Sequence, residues 1–544
     1  MYTFLHQGKE FFIKIKAISV SPYGIAALLV SLVVIGSLLR INVFDSSGDS
    51  FYHVDVTRDY LIASHIVEYG DLPLTGPDGY FGPNSNSPVY YYIIALLLLL
   101  SNAVLFPGLV NVFLQAAAIP LVYLLGKELF SRRTGLAAAA LFTFFDGVVA
   151  QAMQMWQPHL MQFFLLGSFL FLIYGYKKDR ELFLYASSGL LAFSAILHSS
   201  VLAIVPVQLG AILYILWKKK QHSVKKMILA IGTFAAVLAC SYIPTVYYFL
   251  QVEPTQRELS PYDLLYHPPV LPDPSVPQIA LQALERVVNL FTYFFEGSLT
   301  GATGYTYVCM GVFLLGSSLY VMYARNTQRK TFFLLLFAGF FLTVFAVGSL
   351  KLTEGGFPVR YYTPVFVPFL LLIAEMLALI TRKLRFGFVV YAVAIICIAY
   401  VGSEYARSRF DAFPSKLHHQ GLSVFYPPYT WQEDINALAA VIKEDPSIDF
   451  DIRTFEKDFE HLYKNELVWV PLELILQKQL VHIDTATFRG YAVMNDPQHM
   501  FIRCIDMDKD LCKEQFMRKY SEVFRVESVV YESDTVTYLY ARKI

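Results

Sequence analysis

Charge is scarce in this sequence: 16% of its 544 residues are Asp, Glu, Lys or Arg, against about a quarter in an ordinary soluble domain. Its 43 basic residues balance 43 acidic ones. No basic run alternates with aromatics, so no nucleic-acid partner is expected. Cysteine is rare as well, with 5 in the chain. Cys240, Cys309 and Cys397 lie inside apolar stretches and read as small packing residues. Cys504 and Cys512 stand in a polar C-terminal region and can pair if that region faces an oxidising compartment. No small-residue cleavage site follows the first apolar segment, so an uncleaved first span is expected rather than a signal peptide.

What is abundant is apolar and aromatic: 56% hydrophobic residues, 16% aromatic, and a mean hydropathy of +0.48. The apolar residues form long runs, and the charged ones fill the connections between them. That layout predicts a polytopic α-helical membrane protein of about eleven transmembrane helices. The expected spans are Tyr23–Leu39, Leu109–Gly126, Thr134–Ala150, His159–Tyr176, Leu182–His198 and Ser200–Trp217. Met227–Phe249, Gly304–Tyr323, Thr331–Leu350, Val359–Ile380 and Phe386–Gly402 complete the set.

Basic clusters set the orientation. They occur in the N-terminal tail (Lys9, Lys14, Lys16), at Lys127, Arg132 and Arg133, and at Lys177, Lys178 and Arg180. Others are Lys218 to Lys226, Arg325 to Lys330, and Arg382 to Arg385. A cytoplasmic N-terminus puts all of them inside. The outer side then receives the loops 40–88 and 251–303, the turns at Trp156 and at His198, the Lys351–Pro358 connection and everything beyond Ser403. Val89–Phe106 would spoil this parity as a span. An interfacial or re-entrant helix, entered through Tyr90, Tyr91 and Tyr92, restores it.

Two regions are expected: a membrane module over 1–403 and an extracytoplasmic α+β domain over 404–544. The latter shows helix-like stretches at Gln432–Glu444 and Leu467–Leu480, and strand-like ones at Tyr491–Met494 and Val536–Ala541. The 251–303 loop opens with a proline-rich stretch and continues into an amphipathic helix over Ile279–Phe295.

The segment Asp55-Val56-Thr57-Arg58-Asp59 opens a helix running to about Tyr69. At i,i+4 spacing Asp55 and Asp59 share a face, with Arg58 beside them. A carboxylate held ionised by a guanidinium suits a general base that deprotonates an acceptor hydroxyl or amine. On spacing alone, a solvated helix end with a local ion pair is the favoured reading of the same residues. His53 with Asp55 and Asp59 has a metal-like look but lacks a clear fourth ligand, so a divalent metal is possible but not favoured and no cofactor is certain.

Asp55-Val56-Thr57-Arg58, Glu68-Tyr69-Gly70-Asp71-Leu72-Pro73 and Ser87-Pro88-Val89-Tyr90-Tyr91-Tyr92 together resemble the first outer loop of glycosyltransferase superfamily C. The likeness is strongest to the branch of protein O-mannosyltransferases and the lipid A aminoarabinose transferase. Trp156-Gln157-Pro158, Leu197-His198 and Arg360-Tyr361-Tyr362-Thr363-Pro364 resemble further family elements in the same order. Val56 stands where the family often has a second acid, and Asn86 or Ser87 where some members carry an acid or lysine. A metal-assisted variant is thereby disfavoured. The resemblance implies transfer of a sugar from a polyprenyl-phosphate carrier to a lipid, glycan or protein acceptor on the outer face, with inversion. It implies Asp55 as general base and Arg58, Arg360 and Lys351 as ligands of the donor phosphate. His53, Asp59, Trp156, Gln157 and His198 fall where substrate is bound.

Other readings of single residues stay open. His198 can bind a sugar or phosphate, or be a packed histidine; Trp156 can stack on a sugar ring or anchor an aromatic belt. Asp146 can reach water at the outer end of its span. Glu375, in an inner half-span, can pair with Arg382 or Lys383. Arg257, His267 and Arg286 can cover a bound carrier. A transporter or flippase of a lipid-linked substrate is the alternative function, although no internal repeat is seen and buried charge is sparse. A membrane scaffold whose C-terminal domain binds a partner is a third.

Overall fold

The computed structural model describes residues 22–46, 54–76, 86–101, 106–152, 155–219, 223–251, 304–348 and 363–383. It also describes 450–456, 459–460, 482–484, 489–491, 499–505, 509–521, 524–532 and 536–543, together with the single residues 288, 393 and 440. Apart from those three single residues, the expected span Phe386–Gly402 and the helices expected within 279–295, 432–444 and 467–480 lie outside this set. The described chain is mostly helical. It forms two compact units: 1–46, 74–90 and 105–410 in the first; 47–73, 91–104 and 411–544 in the second.

The first unit begins with α1 (Pro22–Ser46). The pair α4 (Phe106–Leu129) and α5 (Arg132–Phe144) follows, then α6 (Gln157–Lys178) and α7 (Glu181–Leu197). Next come α8 (Val205–Lys219), α9 (Val224–Gln251), α10 (Gly304–Tyr323), α11 (Thr327–Gly348) and α12 (Thr363–Lys383). Between them in sequence lie α2 (Val54–Tyr69), in the second unit, and α3 (Val89–Leu100), which starts in the first unit and runs into the second. Among the described residues five helices are long and apolar enough to cross a membrane: Tyr23–Ile41, Phe106–Leu129, Gln157–Lys178, Val224–Tyr248 and Thr363–Arg382. Glu181–Leu197, Val205–Lys218 and Met310–Tyr323 are shorter apolar helices.

Some boundaries differ from the sequence reading for local reasons. The run expected over Thr134–Ala150 is not one helix. Its α-helix ends at Phe144, Phe145 is extended, and a one-turn helix over Asp146–Val149 leads into a 3-10 turn over Ala150–Ala152. Asp146-Gly147 supplies the residues that favour such a break. The segment after His198 likewise starts as a 3-10 turn, Ser199–Ala203, before α8. The α3 helix has 12 residues, a rise of about 18 Å against a hydrocarbon core of about 30 Å.

Tight helix pairing explains the short connections. Ser131 caps α5, its Oγ accepting from the Thr134 N–H at 3.2 Å. Gly135 packs directly on the preceding helix; a Cβ there would stand 2.4 Å from the Tyr123 carbonyl oxygen. Asp179 closes α6 at φ 55°, left-handed backbone that a short polar side chain tolerates. The core is centred on α12, where Phe366, Phe369, Leu370 and Leu372 are buried against Phe313 of α10 and Phe340 of α11. Serines and a glutamine join α6 to α8. Ser168 and Ser187 exchange Oγ-to-carbonyl bonds of 2.7 and 2.8 Å, and Gln208 Nε2 donates to both hydroxyls. Ser188 Oγ donates to the Ala230 carbonyl of α9.

By contrast, α9 buries little of its surface, and Cys240 on it is exposed. The expectation that Cys240 is a packing residue is therefore corrected: an apolar helix facing lipid has the same composition as one facing a core.

In the second unit, β1 (Phe450–Glu456), β2 (Phe459–Glu460), β5 (His499–Ile505), β6 (Phe524–Glu532) and β7 (Val536–Lys543) form a sheet ordered β2-β1-β5-β7-β6. β1 and β5 are parallel and the other neighbours antiparallel. β3 (His482–Asp484) and β4 (Arg489–Tyr491) pair separately. Helix α13 (Lys509–Tyr520) covers one face, with Cys512 and Phe516 packed on Ile502, Leu539 and Ala541. Cys512 is in a disulfide; the side chain of Cys504, its expected partner, lies outside the described residues.

Candidate functional site

Three polar links show that the basic segments share one end of the helical unit. Lys177 Nζ donates to the Glu128 backbone carbonyl and, at 3.2 Å, to Glu128 Oε2, tying the C-terminal ends of α6 and α4. Lys226 Nζ lies 2.6 Å from Glu181 Oε1, joining the first turns of α9 and α7. Arg382 Nη2 donates to Ser131 Oγ at 2.5 Å, bringing the end of α12 to the start of α5. Beside it Glu375 is buried. Its carboxylate accepts from Thr134 Oγ1 at 2.5 Å and from the Tyr320 hydroxyl at 3.1 Å, with Arg382 Nη2 at 3.9 Å. The pairing of Glu375 with Arg382 follows the sequence reading.

The opposite end has a different chemistry. There Arg40, on the last turns of α1, has no exposed surface. Its guanidinium donates to the carbonyls of Phe142 (2.9 Å) and Thr143 (3.4 Å), the end of α5, and of Gly36 (3.1 Å). A helix C-terminus presents unpaired carbonyls and partial negative charge, which a fixed cation complements. Gly36 permits the approach, since a Cβ there would meet Ile119 Cδ1 at 2.5 Å.

Trp156 caps the start of α6, with Pro158 in its first turn, where a missing N–H costs nothing. The indole is buried and stands edge-on to His159, with ring centroids 5.5 Å apart. Gln157 is the first helical residue. Because α6 and α7 are an antiparallel hairpin, the end of α7 returns to this level, where His198 ends α7 and starts the 3-10 turn. Its Nδ1 is 2.7 Å from Ser200 Oγ.

The loop entering α3 is fixed to the same end. Ser87 Oγ donates to the Ser241 carbonyl at 2.7 Å, Thr245 Oγ1 donates to Leu74 O at 3.2 Å, and the Tyr90 hydroxyl donates to Met155 O at 2.9 Å. Pro244 lies within α9 between the first two anchors.

In the second unit, α2 holds Asp55, Arg58 and Asp59 in its first two turns. Asp59 has no exposed surface, in line with Val56, Ile62 and Ala63. A solvated helix end therefore does not describe Asp59. Further along α2, His65 lies against Tyr69 with ring centroids 4.6 Å apart and planes tilted by 39°, and stands 3.4 Å from Asp71 Oδ2, just past the helix end at Gly70 (φ 76°). The Tyr92 hydroxyl donates to the Pro73 carbonyl at 2.5 Å.

Of the residues expected from the sequence, Trp156, Gln157 and His198 are thus brought to one end of one unit, and Asp59 is buried in the other. The side chains of Asp55 and Arg58, and that of Asp146, lie outside the described residues, as do His53, Lys351 and Arg360 altogether. Among the described residues no group of three or more His, Cys, Asp or Glu is arranged to hold a metal ion. Sequence reasoning missed Arg40, and with it Asn111, Gln115, Gln151 and Gln162, all buried. Asn111 and Gln115 stand at i,i+4 on α4, a spacing that marks a shared polar face.

A family profile described as dolichyl-phosphate-mannose-protein mannosyltransferase matches residues 85–248, from the Ser87 loop through α9. ArnT from Cupriavidus metallidurans, in its structure bound to undecaprenyl phosphate, superposes with a TM-score of 0.53 at 12% identity, over 96% of this chain and 98% of ArnT. The apo form of ArnT gives 0.52 at 12% identity, over 95% and 97%. The likeness to ArnT shows a shared fold. Several apolar helices of spanning length within that fold make the chain a membrane protein. An oligosaccharyltransferase from Archaeoglobus fulgidus, tethered to an acceptor peptide, matches with a TM-score of 0.46 at 13% identity, over 85% of this chain. The match spans 64% of that oligosaccharyltransferase's length. No curated protein sequence matches the chain.

Proposed function

We propose that this protein transfers a sugar from a polyprenyl-phosphate carrier to an acceptor hydroxyl or amine on the extracytoplasmic face of the membrane. The observation that carries the reading is the coincidence of the mannosyltransferase profile, residues 85–248, with the segment whose helices gather Trp156, Gln157 and His198 at the end away from the basic clusters. The basic end is then cytoplasmic by the positive-inside rule. The disulfide of Cys512 supports an oxidising, extracytoplasmic setting for the C-terminal domain, 404–544. In this reading the 1–403 module crosses the bilayer about eleven times, with α3 along the interface.

The chemistry is a single displacement. Asp55 takes the proton from the acceptor, the freed lone pair attacks the anomeric carbon, and the bond from that carbon to the phosphate oxygen breaks with inversion. The developing charge on the leaving polyprenyl phosphate falls to Arg58, Arg360 and Lys351, an arginine fork matching two phosphate oxygens at once. His53, Asp59, Trp156, Gln157 and His198 orient sugar and acceptor. No step calls for a metal.

Glycolipids and glycoproteins from cells with and without this protein, compared by mass spectrometry, test the reading. A sugar modification that disappears with the protein is expected, and identical profiles would contradict it. Arg360→Ala should raise the apparent KM for the lipid donor about tenfold or more while moving that for the acceptor little. An unchanged donor dependence would remove Arg360 from the phosphate site.

A further inference from the structure

The end of the helical unit that carries Trp156 also holds a set of buried side-chain amides. Gln115, Gln151 and Gln162 are 1%, 4% and 2% exposed. Gln115 Nε2 donates to the His159 carbonyl at 2.8 Å, and Asn111 Nδ2 donates to the Gln151 backbone carbonyl at 2.9 Å. These bonds hold α4 against the first turn of α6 and the 3-10 turn. They bring the Gln115 amide to the level of Gln162, which stands one turn beyond His159. Among the described residues, both amide atoms of Gln151, both of Gln162 and the Oε1 of Gln115 find no hydrogen-bond partner.

Amides removed from bulk water at the depth of a bilayer find no replacement in hydrocarbon. Five such atoms on three adjacent elements are a concentration that packing alone does not account for. The set carries no formal charge. A phosphate would call for cations, and a metal ion for carboxylates or several carbonyls. A group that both donates and accepts at each oxygen complements an amide, and that group is a hydroxyl.

We propose that Gln115, Gln151 and Gln162 form an uncharged hydrogen-bonding subsite for the hydroxyl groups of the transferred sugar, so that the donor carries a neutral sugar. This rests on the sugar-transfer reading and adds the class of sugar to it. Trp156 and the Met155 carbonyl held by Tyr90 border the same turn, so the subsite lies next to the aromatic residue proposed to orient the ring. A site that hydrogen-bonds hydroxyls rejects analogues lacking them, because its own polar groups are then left unpaired.

The test measures binding of three lipids to the full-length protein in nanodiscs: polyprenyl phosphate bearing a neutral hexose, the same lipid bearing an amine-substituted hexose, and sugar-free polyprenyl phosphate. Gln151→Leu and Gln162→Leu should each weaken binding of the hexose-bearing lipid about tenfold while leaving the sugar-free lipid unchanged. Gln162→Asn, which keeps a shortened amide, should fall between wild type and Gln162→Leu and covers the case where a leucine variant fails to fold. Equal binding of the hexose-bearing lipid by wild type and variants would overturn the subsite, the amides then serving ordered water only. A wild type that binds none of these lipids would overturn the transfer reading itself, and the subsite with it. Wild-type preference for a hexose bearing a charged amine over the neutral one would contradict the uncharged class alone.

Discussion

Arg40 and Glu375 are buried charges at opposite ends of one unit, and each is held by different partners. Arg40 spends its donors on the carbonyl end of α5, while Glu375 gathers two hydroxyls and a guanidinium. The Glu375–Arg382 spacing of two helical turns made their pairing legible in the sequence. Thr134 and Tyr320 were not legible, because only the packing of α5 and α10 on α12 brings them there. Glu375→Ala strands Arg382 and two hydroxyls, and should destabilise the protein by about 2–3 kcal/mol. Glu375→Gln keeps the hydrogen bonds and should cost about 1 kcal/mol. Thermal unfolding in detergent checks the order; equal stability of Glu375→Ala and wild type would mean that the network contributes nothing. The buried glutamines were hidden for a similar reason. Each reads as an isolated polar residue in an apolar run, and their convergence depends on the α4–α6 contact.

At the scale of elements, hydropathy finds helices but not the faces they bury. It located α4, α6, α9 and α12 and the start of α1 to within a few residues, because a spanning helix must carry an unbroken apolar run. It ran through the break at Phe145, where Asp146-Gly147 interrupts an otherwise continuous stretch. The Ser168–Ser187–Gln208 cluster shows how little sequence signal helix association needs: small hydroxyl residues let α6 and α7 approach and bond each other's carbonyls. Ser187→Ala should cost about 1 kcal/mol, near the upper part of the range for single interhelical hydrogen bonds. The outward face of α9 gives a second test. Cys240 is exposed, so a small lipid-soluble maleimide should label it in the native protein, with Cys240→Ser as the blank. Labelling only after denaturation would show that α9 is covered.

For the molecule as a whole, the separation of basic and polar ends is the feature that sequence and structure share most fully. Charged loops are forced to the two surfaces by the cost of burial in lipid, so their alternation survives in the sequence and reappears as the Lys177–Glu128, Lys226–Glu181 and Arg382–Ser131 links. The candidate site was less legible. Trp156, Gln157 and His198 were indicated by motif resemblance and do share one end, whereas no periodicity marks Arg40. Of the C-terminal sheet, β7 was legible as the strand expected over Val536–Ala541, whereas β1 and β5, which pair across a long stretch of chain, were not.

The most direct test of sugar transfer uses the full-length protein in vesicles loaded with polyprenyl phosphate bearing a radiolabelled hexose, comparing wild type with Asp55→Asn. The wild type should release sugar-free polyprenyl phosphate and pass the label to an acceptor, and Asp55→Asn should fold, bind the lipid and do neither. Label that crosses the bilayer still attached to its carrier, equally in both proteins, would contradict the account and identify a flippase.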